Sequence, residues 1–378
     1  NESTMTQTDM ESENQEELRL LRESVRTLFD RAGGVGRSRK LRDSGGGWDG
    51  EMIRELAEAG VFGVAVPEEN GGLGMGLAAC GVIAEEVGRV LAPEPVVATV
   101  GLSLGLLRRL CPDHDMIGRL IGGDTVLATA WQERGPNGGP AEENCRYADG
   151  KLTGNKAWVV GAAEAQGFLV LAKGNTGPVL VMVEAGADGL SVEKLTQADG
   201  STMGELSFAG TPAEEMAGGV AVPDALDEAV NDTAALAAAE LVGLSERAFE
   251  TALEYIKTRE QFDKPIGSFQ VIQHRAVDLH VTCEVAQAGV REALALMDSE
   301  SDPKVRARLA SRAKARAVTT AKKITRDAIQ LHGAVGYTDE FDIGLYLNRA
   351  LVLSAWLGDD AYHRRLWFDA REGEGAAQ

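Results

Sequence analysis

Several chemistries are excluded by what this chain does not contain. Only four cysteines occur in 378 residues, Cys80, Cys111, Cys145 and Cys283, and no two of them form a CxxC pair. A disulfide framework and a zinc site are both unsupported, and these cysteines read as small buried apolar side chains. The five histidines, His114, His274, His280, His332 and His363, show no HExxH pairing, so no metal chemistry is signalled. No run of about 18 apolar residues exists to span a bilayer. Positive charge is scarce as well: 38 Lys and Arg against 58 Asp and Glu leave −20 at pH 7. That is the wrong sign for a protein that binds nucleic acid by displacing phosphate counterions. The opening NESTMTQTDMESENQEE lacks the basic start and apolar middle of a secretory signal, so a cytoplasmic location is expected. Neither GxxxxGKS nor a GxGxxG between strand and helix is present, which leaves P-loop phosphate transfer and nicotinamide binding in a doubly wound sheet unsupported.

What is present has the texture of a multidomain α+β protein, with 44% hydrophobic and 25% charged residues. Residues 1–14 read as a disordered acidic tail. From there Leu18, Leu21, Val25 and Leu28 form one helical stripe, and residues 15–122 read as an N-terminal helical domain. Within it the glycine-rich GGLGMG (71–76) precedes no basic residue and is expected to be a turn between helices. Residues 123–226 change to short apolar runs broken by turn residues: TVLATAW, KLTGNKAWVV, GFLVLA, PVLVMV, LSVEKL and GELSFAG. These six predict a middle antiparallel β-sheet or barrel, with Asp149-Gly150 as a hairpin turn. Residues 227–378 return to helix. Leu241, Leu244, Ala248 and Tyr255 lie in one row, Val242, Phe249, Leu253 and Ile256 in the next, and Glu246, Glu250, Glu254 and Lys257 opposite. Three further helices are expected near 268–299, 303–332 and 340–370, completing a C-terminal four-helix bundle.

Two segments of that bundle carry the sharpest signals. TREQFDKPIGSFQVIQH (258–274) places Arg259 at a helix end beside Phe262, where a planar guanidinium and a ring suit a phosphate and a heterocycle. QLHGAVGYTDE (330–340) places Gly333 and Gly336 after a helix, where backbone N–H groups can approach a diphosphate. Taken singly, either segment reads equally as a helix-turn-helix corner.

Together, TREQFDKPIGSFQVIQHRAVDLH and IQLHGAVGYTDEFDIGLYLNRA resemble two signature regions of the acyl-CoA dehydrogenase family, in the family's order and at about its spacing. The resemblance covers nearly the whole chain. It implies helical, β and four-helix domains, and FAD held at a subunit interface. The implied reaction oxidises the α,β-bond of an acyl-CoA in fatty-acid or steroid side-chain β-oxidation: a base takes the α-proton and flavin N5 the β-hydride, before electrons pass to an electron-transfer acceptor. By the same resemblance Arg259, Gln261 and Phe262 contact the adenine and diphosphate half of a neighbouring subunit's FAD. Gln270, Gln330, Gly333 and Ala334 serve that half too. LATAWQERG (127–135), with Trp131 and Gln132, matches the flavin-contacting strand and loop, and NKAWVVG (155–161) the tryptophan strand, so Trp158 is expected beside the isoalloxazine or, failing that, in the sheet core.

Departures from the pattern shape the functional expectation. Gln132 stands where the family has a flavin-bonding threonine. Leu357, in Trp356-Leu357-Gly358-Asp359, stands where the family has its catalytic glutamate, and Thr233-Ala234 occupies the base position used by some relatives. Asp359 and Asp360, next to the missing glutamate, are substitute bases or else surface and capping residues. Glu240, two turns along the helix from Thr233, is the third substitute base, but it shares a helical meridian with Arg247 and Glu254 and is expected on the polar side. A general base is typically worth about 10²–10⁴-fold, so the chain resembles the companion subunit of a heteromeric dehydrogenase. The expected assembly is a homo-oligomer, or a heterotetramer with a glutamate-bearing homologous chain. A catalytically silent structural subunit and a flavin oxidase of the same fold remain alternatives. Lys304, Arg306, Arg308, Arg312, Lys314, Arg316, Lys322, Lys323 and Arg326 read as a solvated basic face, or as an attractor for CoA phosphates or an acidic partner.

Overall fold

The computed structural model describes residues 7–135 and 144–375. In the N-terminal part the helices are α1 (Gln7–Arg31), α2 (Gly34–Asp43), α3 (Gly50–Glu58), α4 (Gly76–Val90), α5 (Val96–Ala98), α6 (Leu104–Leu110) and α7 (Met116–Ile121). Helix α1 reaches back to Gln7, so part of the segment expected to be a disordered tail is helical; its Glu- and Gln-rich sequence favours helix and suits the positive N-terminal dipole end. Residues 1–6 lie outside the described residues. GGLGMG links a short 3₁₀ turn to α4, as expected.

Eight strands follow: β1 (Leu127–Ala130), β2 (Arg146–Ala148), β3 (Lys151–Val160), β4 (Gly167–Lys173), β5 (Pro178–Glu184), β6 (Leu190–Thr196), β7 (Thr202–Pro212) and β8 (Glu214–Gly218). Their order is β6-β7-β3-β2-β4-β5-β8, with β1 added on β4. Most pairs are antiparallel, and Asp149-Gly150 closes the β2–β3 hairpin with φ of 51° and 75°, both in the left-handed region that such a turn needs. Against the antiparallel expectation, β1 runs parallel to β4, and β2 meets β4 in parallel through Arg146 and Lys173. The alternating pattern reports which face is buried, and strand direction leaves no mark in it.

The C-terminal part comprises α8 (Ala221–Thr258), α9 (Gln270–Ser299), α10 (Pro303–His332), α11 (Ile343–Ala355) and α12 (Asp360–Gly375). The segment expected as one helix over 340–370 is two, broken at Trp356–Asp359, where Leu357 and Gly358 have φ of 62° and 103°. Helix α8 begins at Ala221, several residues before the expected start, with Pro223 in its first turn where a missing N–H costs nothing. It is buried without interruption from Asp232 to Ser245. One apolar core joins the helices of both ends of the chain, and the sheet has its own. Close approach of α4 and α8 requires glycine: a Cβ on Gly243 would lie 1.9 Å from the Glu85 carbonyl oxygen, and one on Gly88 2.1 Å from that of Glu240.

Candidate active site

The flavin-strand residues expected from sequence come together where the loop after β1 meets β3. The Ala157 N–H donates to the Gln132 carbonyl at 2.9 Å, which ties the loop after β1 to β3. Beneath this link Lys156 is fully buried, 3.0 Å from Glu133, and its ammonium also donates to the Trp131 carbonyl at 3.4 Å. Glu133 accepts from the backbone N–H groups of Asn144 and Cys145, and despite burial these bonds and Lys156 hold its carboxyl below the usual range. Sequence reading missed this pair, since Glu133 lies in the loop after β1 and only the fold brings it to Lys156 of β3. The β3–β7 register shifts between Lys156 and Val159, and Trp158 has a φ of 55°. That conformation is costly for an aromatic residue and belongs to bulges that re-aim a side chain. Trp158 stays half-buried with the Arg134 guanidinium 5.3 Å over its ring, and Arg134 is ion-paired with Glu205, so Trp158 is not a closed sheet-core residue. The glycine-rich run after Gly135 lies outside the described residues.

The two C-terminal signatures meet at one end of the bundle. Tyr255 stacks on His332 at 4.3 Å between centroids, and Phe341 packs edge-on to both. This fixes the end of α8, with Arg259, against the end of α10, with Gln330, Gly333 and Ala334. After α8 a two-strand hairpin, β9 (Glu260–Gln261) with β10 (Lys264–Pro265), turns at Phe262 and Asp263, whose φ values are 55° and 61°. Phe262 is 85% exposed, and Arg259, Gln261, Gln270, Gln330 and Ala334 are exposed as well. Among the described residues Arg259 has no ion-pair partner. A rigid hairpin that presents a ring, a free guanidinium and amides to the outside fits a flavin's adenine and diphosphate half approaching from another chain.

A small cavity of about 40 Å³ lies at the end of β3, lined by Pro95, Val160, Gly161, Glu240, Arg349 and Trp356 among others. The turn that carries Trp356 is held from below. The Lys314 ammonium, fully buried, donates to the Leu353 carbonyl at 2.5 Å. His363 Nε2 lies 3.0 Å from the Leu357 carbonyl and Nδ1 3.2 Å from Ser311 Oγ. Because a carbonyl only accepts, Nε2 carries the proton, and in the neutral ring Nδ1 accepts from the hydroxyl. Burial and then Lys314 push its pKa down to about 4.

The carboxylates take different places from those expected. Asp359 is exposed, and its Oδ1 accepts the Tyr362 N–H at 2.8 Å, capping α12. Asp360 lies 3.4 Å from Lys322 and 3.6 Å from Arg364. Neither lines the cavity. Thr233 is buried and donates to the Ala229 carbonyl at 2.6 Å. Glu240, expected on a polar face, is 1% exposed and lines the cavity, because α8 is packed on every side at this depth and has no wet meridian. Its Oε1 accepts from Arg349 Nε at 2.8 Å and Nη2 at 2.5 Å. Burial raises the Glu240 pKa above the ordinary carboxylate range, while Arg349 acts in the opposite sense. The basic run on α10 is likewise not one solvated face. Lys314 is buried, Arg306 holds Asp232 at 2.6 Å, and Arg312, Lys322 and Lys323 each reach a carboxylate.

Comparison with known proteins agrees with this architecture. Residues 15–111 match the acyl-CoA dehydrogenase N-terminal domain, and residues 224–370 the acyl-CoA dehydrogenase C-terminal domain. Acyl-CoA dehydrogenase IpdE2 of Mycobacterium tuberculosis is 31% identical over 337 residues, covering 89% of this chain and 91% of its own length. The chain belongs to the acyl-CoA dehydrogenase family. It is an oxidoreductase by family, and FAD is the family's cofactor. Among solved structures, the Tcur3481-Tcur3483 steroid ACAD superposes with a TM-score of 0.85 at 29% identity, covering 97% of this chain and 100% of that one. The ChsE4-ChsE5 complex from Mycobacterium tuberculosis gives 0.82 at 26% identity, covering 96% and 97%. Among the described residues no helix is long and apolar enough to cross a membrane.

Proposed function

We propose that this chain is the companion subunit of a heteromeric, FAD-dependent acyl-CoA dehydrogenase that introduces an α,β double bond into an acyl-CoA. The observation that carries the reading is that neither base position holds a carboxylate, while the two carboxylates that line the cavity, Glu240 and Glu94, are ion-paired with Arg349 and Arg37. Leu357 and Thr233-Ala234 occupy the two base positions, while Asp359 caps α12 and Asp360 pairs with Lys322. FAD supplies the hydride acceptor when bound. The residues of this chain that would hold it are Arg259, Gln261, Phe262 and Gln270 with Gln330, Gly333 and Ala334, toward the adenine and diphosphate half across a subunit boundary. Trp158, Trp131 and Gln132 would flank the flavin, with Trp158 shielding it from water. The α-proton is taken by a glutamate of the other chain. Two solved neighbours whose names join two different chains, Tcur3481-Tcur3483 and ChsE4-ChsE5, support assembly with an unlike homologue, and the first is named a steroid ACAD. An electron-transfer protein is the acceptor this reading calls for.

The test is to assay the pure chain, a glutamate-bearing homologue and their mixture with a dye acceptor and a series of acyl-CoAs. The isolated chain is expected to be slower by about the 10²–10⁴ that a general base supplies, and the mixture to gain turnover and flavin content together. Robust turnover by the pure chain refutes the companion role.

A further inference from the structure

Glu240 interrupts a stretch of α8 that is otherwise almost wholly Ala, Leu, Val and Gly and completely buried. A lone carboxylate is untenable there, and the chain supplies Arg349 from α11 to meet it. The same guanidinium reaches Asp199, in the loop between β6 and β7, at 3.0 Å. Arg349 thus links the middle of the bundle to a loop of the β domain. Ser201 braces Asp199 from the other side through its N–H at 2.9 Å and its hydroxyl at 2.6 Å. Gly200 in this loop packs so tightly on Arg42 that a Cβ would lie 2.4 Å from Arg42 Cγ. Three elements distant in sequence therefore converge on one guanidinium, at the wall of the cavity that also holds Trp356, Val160 and Gly161. What remains open is about 40 Å³, room for a water or two and not for an acyl chain.

We propose that the Asp199–Arg349–Glu240 cluster is a built-in plug that closes this chain's own acyl cavity. The inference rests on the reading above in taking the cavity beside Trp356 as the place where an acyl group would enter. It adds that the chain is silent for a second reason besides the missing base: the acyl group is excluded by bulk, and the assembly receives it on the other chain only. Glu240, Arg349 and Asp199 are specificity-determining residues in this sense, acting by exclusion.

The test titrates butanoyl-CoA into the full chain by calorimetry. Wild type is expected to show no saturable binding at millimolar ligand. The Glu240→Ala/Arg349→Ala protein removes both halves of the ion pair and opens the cavity. Because the butanoyl methylenes are then buried, it is expected to bind at least roughly tenfold more tightly. A Glu240→Gln/Arg349→Met protein keeps the bulk without the charge and is expected to behave as wild type. Circular dichroism establishes folding. If the double Ala variant does not fold, Glu240→Ala alone, which leaves Arg349 paired with Asp199, serves for the same comparison. Tightening in the Ala protein but not in the filled control supports the plug. Equal tightening in both, no tightening in a folded Ala protein, or wild-type binding as tight as the variant's overturns it. Turnover of each sample mixed with a glutamate-bearing homologue reads the companion role separately.

Discussion

Lys314 is a buried ammonium that donates to the Leu353 carbonyl, and burial brings its pKa down to about 7 from an ordinary value near 10.5. Glu240 raises it, while Lys322 and Arg349 lower it further, and His363 stands on the α12 side. Between pH 7 and 10.5 the unfolded chain holds a proton that the folded chain releases, so stability rises with pH across that window and the burial penalty is complete below it. Lys314→Met abolishes this titration. Its stability relative to wild type is expected to be most favourable at pH 6 to 7 and to decline towards pH 10, by up to roughly 5 kcal/mol at 1.36 kcal/mol per unit. Urea denaturation at several pH values measures it, and a pH-independent difference contradicts the assignment. Arg259 presents the opposite case, an exposed cation with no ion-pair partner among the described residues. Arg259→Ala is expected to leave the fold intact and to weaken flavin retention by about 1.5–3 kcal/mol, read as flavin content after gel filtration of the assembled protein. Undiminished flavin would remove Arg259 from the site.

At the scale of elements, the α4–α8 crossing is the least tolerant place in the fold. The Cβ of a Gly243→Ala protein would stand 1.9 Å from the Glu85 carbonyl oxygen, a backbone atom that cannot turn away. Overpacking typically costs 1–3 kcal/mol and here should reach about 3 kcal/mol or more; an unchanged thermal midpoint would mean that the helices separate freely. The apolar rows that locate α8 in the sequence say nothing of this crossing, since a glycine in a helix reads as a weakness until its neighbour is known. The same distinction runs through the site. Trp158, Arg259 and Gly333 are legible because each sits in a local pattern, a strand, a helix end or a turn. Glu240 is not: its meridian with Arg247 and Glu254 looks polar, and only the packing of several helices around α8 makes it a buried group needing Arg349, more than a hundred residues away. The break at Trp356–Asp359 is hidden for a related reason, because Leu357 adopts a φ of 62° that its residue type does not advertise and that Lys314 and His363 hold from below.

At the scale of the whole molecule, one apolar core fuses the two ends of the chain, yet an apolar stripe is left outside it. Val277, Val281 and Val285 follow one another at four-residue intervals along α9, between 48% and 60% exposed, and Val271, the second residue of that helix, is 71% exposed. Valines at this spacing on a long helix make a face suited to another helix. The stripe begins beside the hairpin that carries Phe262, so the surface that would join two chains and the surface that would hold the flavin's diphosphate half are continuous. Covering the exposed part of each valine adds apolar burial to such an association, as part of a larger surface that must also offset the cost of association. A Val277→Glu/Val281→Glu protein is therefore expected to keep its far-ultraviolet circular dichroism while its mass by light scattering falls to that of one chain. Flavin content should fall in step, because Arg259 and Phe262 would lose the neighbour whose cofactor they hold. A wild-type chain that is monomeric at micromolar concentration would sink the proposal, as would a charged variant that keeps its full mass. Loss of mass with flavin fully retained would separate the two surfaces and place the flavin within a single chain.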